Sequence, residues 1–265
     1  MNRKLSFHAK TLDDQIVRDG LESTGLVKEP FYLVGGMATQ SYLPTTCRRP
    51  TSDIDFSVVR PLNYDDFKSM IDYMRQFLMD QGYQTETKKH SSAYSLNVFD
   101  PQGDGLCIEF SRRNEKKFKE KEKSLQREFE NTNNKIIEGK KGTYRVCRTE
   151  DIVIPKLVRS INSLRRNLHF NGFFSRGFDV LTDEGISEQL IQIDEKREEA
   201  IINLPNPDLA EELRFISDLY DIRLLSELVG FNKNYWDTVS GEWNTLNEFP
   251  KEKERLTNAI LPKLD

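Results

Sequence analysis

The chain has 265 residues, 37% hydrophobic and 31% charged, with a net charge of −4, a size that suits one large domain or two small ones. Aromatic residues at 10% supply enough core material to exclude wholesale disorder. Cys47, Cys107 and Cys147 lie far apart with no C-x-x-C pair, and only His8, His90 and His169 accompany them, which argues against structural zinc and for reduced thiols. No run approaches the roughly 18 apolar residues of a membrane span, and residues 1–10 lack the apolar centre of a signal peptide. The expectation is a cytoplasmic protein with no membrane partner.

In chain order, residues 11–26 read as an opening helix weakened by Gly20. Residues 31–34 form a short buried strand that runs into Gly35-Gly36. A helix from Gly36 follows, with Met37, Ala38 and Tyr42 on its apolar face, and residues 53–59 make the second strand. Phe67, Ile71, Met74, Phe77 and Leu78 fall at helical spacing over residues 64–81, and Gly82 ends that helix. Residues 83–88, 93–99 and 106–112 read as strands. The D-P-Q-G-D-G segment between the last two predicts a hairpin with Asp104 in its turn.

A charged helix follows Arg113, then a polar stretch over residues 131–134 and one more strand over 142–146. Thr149 is placed to cap the next helix, with Glu150 and Asp151 in its first turn. From there the chain reads as helical. Residues 206–229 carry an apolar face of Leu209, Leu213, Ile216, Tyr220, Leu224 and Leu228, and residues 249–264 make a weaker final helix. Residues 167–185, aromatic and without periodicity, read as a loop or insertion. The pattern predicts an α/β (α+β) fold, with a mixed sheet flanked by helices over residues 1–148 and a helical C-terminal domain over 149–265.

The charge is unevenly placed. Residues 112–166 hold 17 Lys and Arg against 8 Asp and Glu, a local +9 that leaves −13 for the rest. Such asymmetry suits an acidic partner such as RNA or a nucleotide. Over residues 115–128, however, Glu and Lys alternate at helical spacing, the pattern of a solvated helix face.

Chemistry concentrates in one region. Asp53 and Asp55 stand seventeen and nineteen residues after Gly36, inside an apolar strand. Residues i and i+2 of a strand share a face, roughly 7 Å apart. Carboxylates held there, near a Gly-rich turn, suit a divalent metal set against nucleotide phosphates, the charge neutralisation that nucleotidyl transfer needs. Glu109, acidic between apolar neighbours in a later strand, is the candidate third ligand. Backbone N–H groups at Gly35 and Gly36 are candidate phosphate donors.

The segments V-G-G-x-A at Val34 to Ala38 and R-x-T-x-D-I-D-F at Arg49 to Phe56 resemble the nucleotidyltransferase superfamily with the DNA polymerase β-type core. Within it, they look most like the AbiEii group, the toxin half of type IV toxin–antitoxin and abortive-infection systems. Thr149 to Leu157 resembles the third motif of that family, a helix carrying a lysine, and Asp218-Leu219-Tyr220-Asp221-Ile222 resembles the fourth. The resemblance implies a nucleotidyltransferase-like fold, an NTP co-substrate, Mg²⁺ or Mn²⁺, tRNA or another RNA as acceptor, and a cognate antitoxin for phage defence. It implies Asp53, Asp55, Lys156 and Asp221 as catalytic residues, with Asp218 assisting. Asp53, Asp55 and Glu109 become metal ligands, and Gly35, Gly36, Thr39, Arg49, Thr51 and Lys156 nucleotide-binding residues.

Three positions depart from the family pattern. Met37 replaces the usual Ser or Thr after the double glycine, leaving Thr39 as the nearby hydroxyl. Ser217 stands where Arg is common. Asp218 follows Lys156 by 62 residues, so an insertion spans residues 162–212. Two alternatives stay open: transfer to a small antibiotic-like molecule, and a catalytically silent nucleotide-binding module.

Overall fold

Successive side chains of a strand point to opposite faces, and the burial of residues 53–56 follows this, with Ser57 buried on the side of the aspartates. Ile54, Phe56 and Val58 are buried, while Asp53 and Asp55 are half-exposed. One face of this strand therefore belongs to a core and the other to a site. The computed structural model describes residues 6–166, 182–202 and 206–260. The chain divides into two compact units, Met1–Arg148 and Thr149–Asp265.

The first unit is built on a mixed sheet. Its strands are β1 (Ser6–Phe7), β2 (Phe31–Val34), β3 (Asp53–Val58), β4 (Gln84–Lys89), β5 (Ala93–Phe99), β6 (Asp104–Ser111), β7 (Asn133–Ile136) and β8 (Thr143–Val146). They run in the order β4-β5-β6-β3-β2-β8-β7, with β1 alongside the start of β6. Strand β3 pairs parallel with β6 and antiparallel with β2, and β2 pairs parallel with β8. The α-helices among the described residues of this unit are α1 (Gln15–Thr24), α2 (Gly35–Gln40), α3 (Tyr64–Met70), α4 (Asp72–Asp80) and α5 (Glu115–Glu130), with a 3-10 turn at Thr45–Cys47. The expected mixed sheet with flanking helices is thus present.

The core face of the sheet is closed by close packing. Gly20 of α1 lets that helix come down on β3 and β6: a Cβ there would stand 3.1 Å from Ile108 Cδ1 and 3.2 Å from Leu106 Cδ2. Phe31, Phe56, Phe67 and Phe110 form an aromatic cluster, with Phe56 and Phe110 stacked at 5.2 Å and Phe67 reaching Phe110 at 5.7 Å.

Local departures from expectation have physical reasons. The helix expected over residues 64–81 is two, bent at Ile71, whose φ of −96° and ψ of 4° leave the helical region. The bonds Ile71 N–H to Phe67 O and Arg75 N–H to Ile71 O still cross the bend, so the apolar face stays in line. Gly82, at φ +90°, ends α4 as expected. Asp104 opens β6 instead of lying in the hairpin turn, because its carboxylate accepts from Lys10 Nζ at 2.8 and 2.9 Å and meets His8. Strands β1 and β7 were not expected: one is two residues long, and the other, Asn-Asn-Lys-Ile, is held by its ladder to β8 and by contacts of Asn133 and Lys135 with Tyr42.

The second unit is helical: α6 (Thr149–Arg166), α7 (Asp183–Ile202), α8 (Pro207–Leu224) with a π-helical turn at Leu225–Val229, α9 (Lys233–Gly241), α10 (Thr245–Glu248) and α11 (Pro250–Ile260). Asn206 caps α8, its side chain accepting from the Asp208 and Leu209 N–H groups, with Pro207 at the first helical position. Thr149 does not cap α6. It is already helical, and its hydroxyl turns to Glu150 Oε2 and the Gly230 carbonyl. Of the stretch read as a loop, residues 183–185 open α7 and residues 167–181 lie outside the described residues, as do residues 261–264 of the expected final helix. No described helix is long and apolar enough to cross a membrane.

Candidate active site

The register of three strands assembles the acidic face. Asp55 of β3 lies directly opposite Glu109 of β6 on one side and Val34 of β2 on the other, and Asp53 lies opposite Cys107. Residues in register share a face, so Asp53, Asp55, Cys107 and Glu109 come together while Ile54, Phe56, Ile108 and Phe110 turn into the core. Strand β5 extends the same face with Ser95 opposite Glu109 and Asn97 opposite Cys107.

The double glycine fits against this face for a steric reason. Gly35 has φ +73°, a conformation that side chains rarely adopt, and a Cβ on it would stand 2.5 Å from Asp55 Oδ2. A Cβ on Gly36 would stand 2.9 Å from Thr51 Oγ1. The Thr51 hydroxyl in turn donates to Asp53 Oδ1 at 3.1 Å. The two glycines therefore back onto the two aspartates, one directly and one through Thr51. A paired bridge between Lys10 and Thr51, with reciprocal N–H to O bonds of 2.8 Å, fixes the approach to β3.

Electrostatics on this face reflect crowded negative charge. Burial, then the neighbouring Asp53, raise the Glu109 carboxyl above its ordinary value, against some relief from His90. Burial, then Glu109 and Asp53, push the Cys107 thiol up to about 12. Cys107 Sγ lies 3.9 Å from Glu109 Oε1.

The remaining nucleotide-binding candidates of this unit fall differently. Thr39 is 1% exposed, and its hydroxyl donates to the Gly35 carbonyl one turn back. Met37 is fully buried, so the position after the double glycine serves the core. Arg49 is half-buried, and its carbonyl accepts from the Gln40 side chain at 2.9 Å.

Among the described residues, no group of three or more His, Cys, Asp or Glu side chains is arranged to hold a metal ion, and Glu109 stands in register beside the Asp53–Asp55 pair. The pair itself suits Mg²⁺ or Mn²⁺. Both ions take hard oxygen donors and are commonly held by one or two carboxylates plus substrate phosphates. Asp53 and Asp55 are half-exposed carboxylates on one strand face, backed by a glycine too close to carry a side chain.

In the second unit, α6 and α8 bring Lys156, Asp218 and Asp221 together. Lys156 Nζ donates to Asp221 Oδ2 at 2.7 Å and to Asp218 Oδ1 at 3.1 Å. Lys156 is 4% exposed and Asp221 0%, so this ammonium is buried between two carboxylates. Arg159 completes the cluster: Nε and one terminal nitrogen form a two-pronged bond to Asp218, both at 2.8 Å. Two cations then face two anions, which a buried charge cluster requires. Arg159 was missing from the sequence-based site. It lies one helical turn after Lys156, just as Asp221 follows Asp218, and that shared i,i+3 spacing was readable in advance.

No family model matches the chain, and no curated protein does. Among solved structures it is similar to an antigenic nucleotidyltransferase-like protein from Paracoccidioides brasiliensis, at 11% identity and a TM-score of 0.39 over 93% of this chain and 94% of that one. It is also similar to terminal uridylyl transferase 4 from Trypanosoma brucei with bound GTP, at 14% identity and a TM-score of 0.28 over 87% of this chain and 69% of that one.

Proposed function

We propose that the chain is a metal-dependent nucleotidyltransferase that moves a nucleotide from an NTP onto an acceptor hydroxyl and releases pyrophosphate. The observation that carries this reading is the fit of Gly35 and Gly36 against Asp55 and Thr51, beside the half-exposed Asp53 and Asp55. Such an arrangement suits a triphosphate approaching the backbone at the turn. A divalent cation held by Asp53 and Asp55 would supply charge neutralisation on the phosphates. In this reading Thr51 orients Asp53, and Glu109 stands beside the pair as a further carboxylate. Arg49 and the Gly35-Gly36 backbone contribute to nucleotide binding. Lys156 and Asp221 enter this reading through the motif resemblance alone.

The finer reading is a toxin of a type IV toxin–antitoxin system with tRNA as acceptor and a cognate antitoxin as partner. Its support is the motif resemblance and the +9 balance of residues 112–166, which suits an RNA backbone. The test is incubation of purified protein with each labelled NTP, Mg²⁺ and total tRNA. Label should pass to tRNA with wild type and be lost with Asp55→Ala. No transfer with any NTP, or equal transfer by the variant, overturns the reading.

A further inference from the structure

A pocket of about 90 Å³ opens in the first unit between α1, the turn after α2 and the β7–β8 hairpin. Its lining cations come from three separate elements: Arg18 from α1, Arg48 from the turn, and Lys135 from β7. Among the described lining residues, the one carboxylate is that of Glu138, which is exposed. Tyr144 and Ser41 add hydroxyls, 2.9 Å apart.

The three cations are unequally satisfied. Arg48 is matched, pairing with Asp13 at 2.7 Å and donating to the Leu43 carbonyl. Lys135 is half-buried, and its ammonium sits 4.2 Å from the centre of the Tyr42 ring. Burial alone pulls its pKa down, with no carboxylate to raise it. Arg18 has a buried Nε without a hydrogen-bond partner, and one of its terminal nitrogens reaches Gln15 only at 3.4 Å. Holding cations away from water without anionic partners is costly. An anion entering the pocket would offset that cost with charge-assisted hydrogen bonds, the strong class of such bonds.

The pocket has room for a phosphoryl group and opens to the surface, so a phosphate carried on a larger molecule can enter from outside. The pocket is also separate from the acidic face. Gly35 abuts Asp55 at the start of α2, whereas Ser41 follows the end of that helix, a six-residue element about 9 Å long.

We propose that this pocket binds a phosphate group, as inorganic phosphate or as the monoester end of a nucleotide, held chiefly by Arg18 and Lys135 with Arg48 beside them. The proposal does not rest on nucleotidyl transfer. Thermal unfolding of the full chain in sodium phosphate, in AMP, and in sodium chloride of matched ionic strength tests it. Phosphate or AMP should raise the midpoint by a few degrees over chloride; a response to phosphate itself identifies the free ion, and a response to AMP alone the nucleotide-borne group. Asp53→Asn/Asp55→Asn should keep that gain and Arg18→Gln/Lys135→Gln should lose it, which separates this site from the acidic face. Should the double variant not fold, Lys135→Gln alone, followed by ³¹P line broadening of added phosphate, should bind about tenfold more weakly. No gain in wild type, a gain that survives Arg18→Gln/Lys135→Gln, or unchanged broadening with Lys135→Gln overturns the proposal.

Discussion

Gly35 and Asp55 pack so closely that no side chain fits between them: a Cβ on the first would lie 2.5 Å from Oδ2 of the second. Gly35→Ala should therefore combine a strained positive φ with a clash, at about 1–3 kcal/mol of stability. Gly36→Ala meets only the Thr51 side chain at 2.9 Å and has ordinary φ, so its cost should be smaller. Urea unfolding of the two variants checks the order, and equal midpoints would contradict it.

The buried cluster in the second unit should be unforgiving of single changes. Lys156→Met leaves Asp221 buried without its ammonium, a loss of about 3–5 kcal/mol. Asp221→Leu should cost a similar amount, and the double variant less than the sum of both. A double-mutant cycle by chemical denaturation measures the coupling. Strict additivity would mean that the two side chains do not depend on each other.

Stability should respond to acid through Asp19. Burial works against its charge, but hydrogen bonds from Lys140, Tyr83 and Gln15 outweigh this and hold its pKa below the ordinary value. The unfolded chain then binds the proton first. The contribution of Asp19 is complete above the ordinary aspartate value, about 3.9, and falls away as pH drops through the lower folded value. On the alkaline side, the raised pKa of Lys140, due first to Asp19 and then Glu22, acts oppositely. Its contribution is complete below the ordinary lysine value and is lost as pH rises through the folded one. Asp19→Asn should flatten both limbs of a stability–pH profile, and an unaltered acid limb would rule this origin out.

Cys107 offers a chemical reporter of the acidic face. With its thiol pushed up to about 12 by burial, Glu109 and Asp53, it should react slowly with iodoacetamide at mildly alkaline pH. Glu109→Gln removes the nearest negative group and should speed alkylation several-fold, read by mass spectrometry. An unchanged rate would show that access, not charge, controls the thiol.

Much of the first unit was legible because its signals are local. The alternation in residues 53–56, the turn chemistry after Phe99 and the stop at Gly82 each depend on a few neighbouring residues, and each appears as read. What escaped depends on distant partners. The Asn-Asn-Lys-Ile of β7 has poor strand propensity, and its extended form goes with its pairing to β8 and its contacts with Tyr42. Asp104 looked like a turn residue until Lys10, far away in sequence, held it at the head of β6. The candidate site divides the same way. Asp53, Asp55 and Glu109 share a face as strand periodicity implies, whereas the burial of Lys156 and the role of Arg159 follow from how two helices pack.

The pairing of β3 with β6 makes assembly its own inspection. A slip of one residue along this ladder would carry Asp53, Asp55 and Glu109 out of alignment and drive Asp53 and Asp55 into the space now filled by Ile54 and Phe56. Such a molecule would lose its core along with its carboxylates. A population that survives folding therefore holds no stable misaligned isomer of this face, and the yield of folded protein should equal the yield of correctly aligned carboxylates.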